Sequence, residues 1–240
     1  LPFTTLPRAI VASPDASRTM AARASSAVCL TCHEKGDQAN FVESMHARRN
    51  VACVSCHSMH SSQSTKAMLK TRTDADTCFT CHKSERAKTL RTSHHPVREG
   101  KMGCSSCHNP HDGSRPKLLQ ADSGNELCYK CHTEKRGPFL YEHAAVREDC
   151  LSCHDPHGSN HQRMLTAKPP YLCQSCHYSG HGITGDDLNT LQGVAVAAAL
   201  PAGVTVAQTT RSTRQIGRGC PQCHINIHGS NSPSGAAFVR

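Results

Sequence analysis

The sequence has little from which to build an ordinary hydrophobic core. It contains no tryptophan, and leucine, isoleucine, valine and phenylalanine together make up 37 of its 240 residues, about 15%. A chain with less than roughly 20% of these residue types is normally expected to remain disordered. The sequence therefore predicts disorder unless something other than its own side chains supplies the apolar interior.

Long apolar segments are also missing. The longest candidate, residues 194–207, is 14 residues long and contains Pro201, whereas a membrane-spanning helix needs about 20 apolar residues. We therefore expect no transmembrane helix. The sequence starts at Leu1 rather than at a methionine, which predicts an exported chain from which a signal peptide has been removed.

No cysteine falls outside one repeated pentapeptide, Cys-x-x-Cys-His, which occurs eight times. This spacing is typical of c-type haem attachment, in which two thiols bind one porphyrin and the adjoining histidine binds its iron. The sequence thus predicts eight covalent haem c groups. The attaching cysteines are Cys29 and Cys32, Cys53 and Cys56, Cys78 and Cys81, Cys104 and Cys107, Cys128 and Cys131, Cys150 and Cys153, Cys173 and Cys176, and Cys220 and Cys223. The proximal iron ligands are His33, His57, His82, His108, His132, His154, His177 and His224.

Zinc sites and disulfide frameworks also use closely spaced cysteines. Neither requires histidine directly after the second cysteine of every pair. With 18 histidines in 240 residues, eight such placements by chance have a probability of about 10⁻⁹ under random placement, which favours the haem motif.

The formal charge of +9 raises the possibility of nucleic-acid binding. Each haem brings two propionates, so eight haems would add roughly −8 when oxidised and −16 when reduced, and basic side chains then serve as propionate partners. The basic residues are also scattered, without interleaved aromatic residues. We therefore expect no nucleic-acid partner.

A repeat of about 50 residues organises the motifs. Each unit reads CxxCH, a spacer histidine, a second CxxCH and a trailing histidine. The predicted boundaries are 29–77, 78–127, 128–172 and 173–240, with an insertion at about 182–219 in the last unit. Residues 1–28 are expected to form an extended N-terminal arm.

The repeat selects eight further histidines as distal ligands, one per iron. Aligning HHPVRE with EHAAVRE favours His94 over His95, and His161 is left over. A trailing histidine is too close in sequence to reach the opposite face of its own porphyrin, so it must serve another haem. The predicted distal ligands are His46, His60, His94, His111, His143, His157, His181 and His228.

With two ligands on every iron, no position remains for a substrate. The sequence therefore predicts an electron carrier rather than an enzyme. Its expected fold is that of a multihaem cytochrome c: an elongated, mostly irregular chain with short α-helices around a stack of eight haems, and little or no β-sheet.

Several segments resemble the MtrA/DmsE family of multihaem c-type cytochromes. They include HHPVREGKMGCSSCHNPH, EHAAVREDCLSCHDPHGSN, PPYLCQSCHYSGHG and RQIGRGCPQCHINIHGSN, spread over roughly residues 75–240. The resemblance implies the distal role for His94, His111, His143, His157, His181 and His228. This chain departs from the best-known members in having eight motifs rather than ten.

The same resemblance implies a cellular location and a set of partner proteins. Members of the family sit inside an outer-membrane β-barrel porin and pass electrons between periplasmic donor cytochromes and an outer-surface multihaem cytochrome or another extracellular acceptor. We therefore expect an exported protein of the periplasm, associated with the outer membrane. The alternatives are a free periplasmic electron shuttle, a cytochrome filament subunit, or a multihaem reductase of nitrogen or sulfur oxyanions.

Overall fold

The computed structural model describes residues 15–177, 219–233 and 235–238. His181 and almost all of the predicted insertion lie outside these residues. The chain divides into two compact units, one made of residues 1–89 and 95–127 and the other of residues 90–94 and 128–240. The units do not coincide with the four predicted repeats, which remain a prediction from the sequence.

Short helices dominate the described part of the chain. The α-helices are α1 (Asp15–Leu30), α2 (Met45–Arg48), α3 (Cys53–Cys56), α4 (Asp74–Phe79), α5 (Lys83–Thr89), α6 (Gly124–Tyr129), α7 (Ala144–Glu148) and α8 (Tyr171–Gln174). The 3₁₀ helices are Gly36–Gln38, Phe41–Glu43, Cys104–Ser106, Pro116–Leu118, Thr133–Lys135, Cys150–Ser152, Gln162–Met164, Cys220–Gln222 and Gly235–Ala237. β-Structure within these residues consists of isolated bridges. The predicted fold class is therefore confirmed.

The N-terminal segment differs from the prediction. Residues 15–28, expected as part of an extended arm, lie in α1. The segment that follows Pro14 is rich in alanine and has no proline or glycine up to Leu30, and alanine has the most favourable helix propensity. The two early prolines and the absence of cysteine suggested an extended chain, but both prolines precede the helix.

All eight CxxCH motifs fold into the same turn. The histidine N–H of each motif donates to the carbonyl of its first cysteine at 2.8–3.1 Å. This bond spans four residues, as in an α-helical turn. The motif sequence therefore closes on itself and brings the imidazole to the same end as both sulfurs.

The surroundings of this turn alternate along the chain. The first motif of each repeat begins in the last turn of an α-helix, namely α1, α4, α6 or α8. The second motif forms its own single turn, which is α3 or one of the 3₁₀ helices beginning at Cys104, Cys150 and Cys220.

A returning loop follows the second motif in each repeat. Antiparallel bridges pair His57 with Leu69, His108 with Leu119 and His154 with Leu165. Each of these three loops passes through two residues with positive φ just before the bridge: Ala67 and Met68, Lys117 and Leu118, and Arg163 and Met164. Left-handed backbone is uncommon for non-glycine residues. Its occurrence at the same place in three loops indicates that the three loops share one backbone conformation.

Few apolar side chains are buried by the polypeptide itself. Among the described residues these are Phe41, Ala52, Ala75 and Ala121, whereas Val28, Leu140 and Tyr171 are each 73% exposed. The fold is therefore not organised around a core of its own side chains, in keeping with the composition. No helix in the described ranges is long and apolar enough to cross a membrane.

One tight contact joins two histidine-bearing segments of the first unit. A Cβ on Gly113 would lie 2.5 Å from the carbonyl carbon of Glu43 and 2.6 Å from the backbone nitrogen of Ser44. Ser44 is fully buried, and its hydroxyl accepts the Ala47 N–H at the start of α2. Only glycine allows the loop after His111 to approach this helix.

We expect Gly113→Ala to lower the free energy of unfolding of the haem-loaded protein by about 1–3 kcal/mol, because the added methyl group overpacks backbone that cannot move aside. Gly219→Ala is the control, since its Cβ would meet Pro221 at an ordinary 3.8 Å. Guanidinium titration followed by circular dichroism measures both. Equal stabilities for the two variants would contradict the close packing.

Candidate haem-binding site

The first cysteines of the two motifs in each repeat lie against each other. Their thiols interact through side-chain hydrogen bonds in four pairs: Cys29 with Cys53, Cys78 with Cys104, Cys128 with Cys150, and Cys173 with Cys220. Burial, together with Cys150, raises the pKa of Cys128 to about 11. The attachment points of two porphyrins in one repeat are therefore adjacent.

The second cysteines meet between repeats. Cys56 lies close enough to Cys81, and Cys153 close enough to Cys176, for each neighbour to raise the thiol pKa, after the larger effect of burial. The two motifs of one repeat thus lie together at their first cysteines. In these two cases, the second motif of one repeat and the first motif of the next lie together at their second cysteines. None of the sixteen cysteines forms a disulfide.

Backbone carbonyls orient the proximal histidines of the second motifs. The Nδ1 atoms of His57, His108, His154 and His224 lie 2.6–2.9 Å from a carbonyl oxygen of the returning loop. The acceptors are Ala67, Lys117, Arg163 and Ala237. A carbonyl only accepts, so Nδ1 carries the proton and Nε2 keeps a lone pair. Metal-bound histidines almost always have this arrangement.

Three predicted distal histidines are oriented in the same way. The Nδ1 of His46 donates to the Pro110 carbonyl at 3.1 Å, and that of His143 donates to the Ile227 carbonyl at 3.0 Å. His94 Nδ1 donates to the Arg91 carbonyl at 2.6 Å, so its Nε2 carries the lone pair that a metal requires.

The structure brings four proximal histidines opposite four predicted distal ones. The pairs and their ring-centroid separations are His46 and His82 at 6.2 Å, His57 and His111 at 5.9 Å, His143 and His177 at 6.0 Å, and His154 and His228 at 6.2 Å. Each pair lies within a single unit. In every pair the two histidines come from different predicted repeats.

These separations fit two imidazoles on opposite faces of one iron. Two metal–imidazole bonds of about 2 Å each, plus the distance from Nε2 to the ring centre on both sides, give about 6 Å. The interplanar angle ranges from 17° to 76°, whereas the centroid separation barely changes. Rings in direct contact approach differently at different angles, but bonds to one central atom fix the distance at every angle.

The protonation of two distal candidates also suits a metal. Burial lowers the pKa of His111, and the nearby His57 adds to the effect. Burial likewise lowers the pKa of His228, with smaller contributions from Lys135 and His154. Both imidazoles are thereby kept neutral near pH 7, the form that binds a metal.

Three other predicted ligands are placed by their exposure, a backbone hydrogen bond or a neighbouring helix. His60 is exposed, His157 is partly buried with its N–H donating to the Asp155 carboxylate, and His33 follows the end of α1. His161, predicted as a spare histidine, donates its N–H to the Ser159 hydroxyl. Within the described ranges there is no cluster of three or more histidine, cysteine or acidic side chains arranged for a metal ion such as zinc.

Sequence reasoning missed the groups that face the proximal histidines. The loop carbonyls carry no side-chain signature, since alanine, lysine and arginine all supply them. Two carboxylates were visible in the sequence: Glu85 and Glu134 follow the third and fifth motifs within three residues. Each has a carboxylate oxygen 3.8 Å from the Nδ1 of the preceding proximal histidine, His82 or His132.

Comparison with known proteins agrees with this geometry. The chain matches the family model of the doubled CXXCH motif over residues 46–87, 94–137 and 143–182, and each match begins at or beside a predicted spacer histidine. It is 35% identical to the cytochrome c-type protein NrfB of Escherichia coli (strain CFT073) over 63 residues, 25% of this chain and 33% of that protein.

A longer similarity covers nearly the whole chain. It is 42% identical over 223 residues to the multiheme cytochrome MtrA of Shewanella baltica (strain OS185), which is 92% of this chain and 62% of that protein. The chain thus spans less than two thirds of this relative's length. The resemblance stated from the sequence is confirmed, and the chain belongs to the doubled-CXXCH family as an MtrA-like multihaem c-type cytochrome that binds haem covalently.

Proposed function

We propose that the protein conducts electrons through eight covalently attached haems, each ligated by two histidines. The observation that carries the proposal is the common separation of about 6 Å in four histidine pairs drawn from different repeats. When bound, haem iron supplies a one-electron couple between ferric and ferrous states. The chain's part is to hold the imidazoles, to keep them neutral and to set neighbouring attachment points together.

The four pairs support a rule for ligation. A spacer histidine faces the first motif of the next repeat, as His46 faces His82 and His143 faces His177. A trailing histidine faces the second motif of the preceding repeat, as His111 faces His57 and His228 faces His154. The rule assigns His94 to His132 in the second unit. His60, His157 and His181 complete the proposed distal set.

Ligation of one iron by histidines from two repeats explains how a chain with a small apolar core can hold a row of haems. Each iron to which the rule applies is ligated by histidines of two neighbouring repeats, so these haem sites are complete only when both repeats are folded. The contacting cysteines bring consecutive attachment points together, which supports electron transfer from haem to haem. Because every iron has a second ligand in the proposal, none is left for a substrate, and the protein acts as a carrier rather than as an enzyme.

The similarity to MtrA supports a further step: a periplasmic location, at the outer membrane. There the protein would lie inside a β-barrel porin, accept electrons from periplasmic cytochromes and deliver them to an outer-surface cytochrome or another extracellular acceptor. A closed barrel satisfies its own backbone hydrogen bonds in lipid. The cytochrome then crosses a hydrocarbon core of about 30 Å without a membrane-spanning helix of its own.

Liposomes test this conduit. An oxidised redox dye is sealed inside, and a reductant that cannot cross the bilayer is added outside. We expect the dye to be reduced when the haem-loaded cytochrome and a co-purifying outer-membrane barrel are reconstituted together. Liposomes that contain the barrel alone are the control.

Equal dye reduction with the barrel alone would leave the cytochrome without a role in crossing the bilayer. A cytochrome that associates with no barrel would instead favour the periplasmic shuttle or filament subunit. Either result would contradict the conduit while leaving the proposal of eight electron-carrying haems intact.

A further inference from the structure

Six of the eight proximal histidines fall into two classes according to the group that faces their Nδ1 atom. In the second motifs the partner is always a loop carbonyl, at 2.6–2.9 Å in all four cases. In two first motifs a carboxylate oxygen lies 3.8 Å from Nδ1: Glu85 beside His82, and Glu134 beside His132. Neutral and anionic surroundings therefore alternate from the second to the fifth motif.

Local structure explains how the carboxylates reach these positions. Helix α5 begins directly after His82, so Glu85 lies one turn on and on the same side as the imidazole. The Ser84 hydroxyl donates to Glu85 Oε2 at 2.5 Å. His132 precedes the 3₁₀ helix Thr133–Lys135, which carries Glu134 near the ring, and Lys135 Nζ lies 3.8 Å from the same oxygen. Each carboxylate thus has a second polar neighbour.

A third carboxylate, that of Asp155, also lies near the Nδ1 atom of a histidine, but for a different reason. An oxygen of Asp155 lies 3.9 Å from the Nδ1 of His157, but this oxygen already accepts the His157 N–H at 3.1 Å. Asn109 makes the same bond to the His111 N–H. A turn shared by an aspartate and an asparagine explains that contact, whereas the backbone N–H groups of His82 and His132 donate to the carbonyls of Cys78 and Cys128.

We propose that Glu85 and Glu134 are positioning residues that lower the reduction potentials of the haems at the third and fifth motifs, relative to the same haems without these carboxylates. This inference rests on the proposed ligation of iron by His82 and His132. At 3.8 Å neither carboxylate accepts a hydrogen bond from Nδ1, so each acts through its charge. A negative charge beside the ligating imidazole stabilises ferric iron relative to ferrous iron, which lowers the reduction potential.

The consequence is that two alternate haems, the third and the fifth, have potentials adjusted by a nearby carboxylate. The third and fifth haems would be harder to reduce than they are without their carboxylates, while their neighbours of the second motifs face neutral carbonyls. Two of those carbonyls belong to basic residues, Lys117 and Arg163.

Redox titration of the haem-loaded full chain tests the proposal, with Glu85→Gln and Glu134→Gln measured separately. Each variant is expected to shift the ferrous-to-ferric ratio of one haem at a fixed potential by up to tenfold towards ferrous, about 59 mV for a one-electron couple. Glu85→Asp, which keeps the charge, should recover part of the shift. Glu99→Gln is the control, because it removes a carboxylate paired with Arg98 at 3.2 Å.

Electron paramagnetic resonance identifies the haem affected by Glu85. The planes of His46 and His82 lie 76° apart, whereas those of the other three pairs are 17–27° apart. Nearly perpendicular imidazoles leave the π-bonding iron orbitals almost degenerate, so this ferric haem should give an unusually anisotropic low-spin signal. That signal should change its midpoint in Glu85→Gln and keep it in Glu134→Gln.

A role confined to helix stability would lower the unfolding free energy without moving one midpoint. Midpoints that move no further in Glu85→Gln and Glu134→Gln than in Glu99→Gln would overturn the proposal. Haem count and spin state report separately on ligation: a haem lost or turned high-spin in the unmodified protein would contradict the proposed function instead.

Discussion

Replacement of His143 by methionine is expected to raise the reduction potential of one haem by on the order of 0.1 V, part of the roughly 0.8 V range over which axial ligands set haem potentials. A thioether stabilises ferrous iron relative to an imidazole. His143 faces His177 at 6.0 Å, so the haem affected should be the one attached at Cys173 and Cys176. The other couples should move only through Coulomb coupling to it.

Two further variants make this experiment decisive. His143→Ala should leave that iron with one protein ligand and produce a single high-spin signal in a protein that is otherwise entirely low-spin. His161→Ala, which removes a histidine predicted to be spare, should leave the spectrum and the titration unchanged. If every haem stays low-spin in His143→Ala, the assignment of His143 is wrong. A high-spin haem in the unmodified protein would reopen the enzyme hypothesis.

The motif chemistry of this protein could be predicted from the sequence because it is local. Five consecutive residues contain both sulfurs and the imidazole, and each motif closes on its own hydrogen bond from histidine N–H to cysteine carbonyl. The choice of His94 over His95 also came from local alignment, and it stays a prediction. The short helices and the scarcity of β-structure in the described residues followed from the same reasoning.

The pairing of histidines could not be predicted because it depends on how distant segments return. His111 lies opposite His57, and Gly113, two residues after His111, packs against Ser44; no spacing rule encodes either contact. The orienting carbonyls are equally hidden, since Ala67 and Lys117 share backbone conformation but no side-chain property. Helix α1 was mistaken for an extended arm because the prolines before it outweighed the alanine-rich segment that follows.

Loss of one interior haem is expected to stop electron transfer along the chain. Cys128→Ala combined with Cys131→Ala removes both attachment points of the fifth motif, so the mass should fall by one haem from a starting count of eight. The remaining haems on either side are then separated by the width of a missing porphyrin. Because electron tunnelling weakens exponentially with distance, dye reduction in the liposome assay should fall to the level of the barrel alone.

Two matched variants separate a broken path from a damaged fold. Cys29→Ala with Cys32→Ala also removes one haem, but from the first of the eight motifs. The seven remaining haems then stay contiguous, so conduction should fall less. Cys128→Ala alone should keep eight haems, because Cys131 still holds the fifth, and it should conduct. Since haem attachment contributes to folding, circular dichroism must find the same helix content in the two double variants. Equal conduction by them would mean that electrons do not pass through the haems in sequence, and a wild-type mass with fewer than eight haems would contradict the count itself.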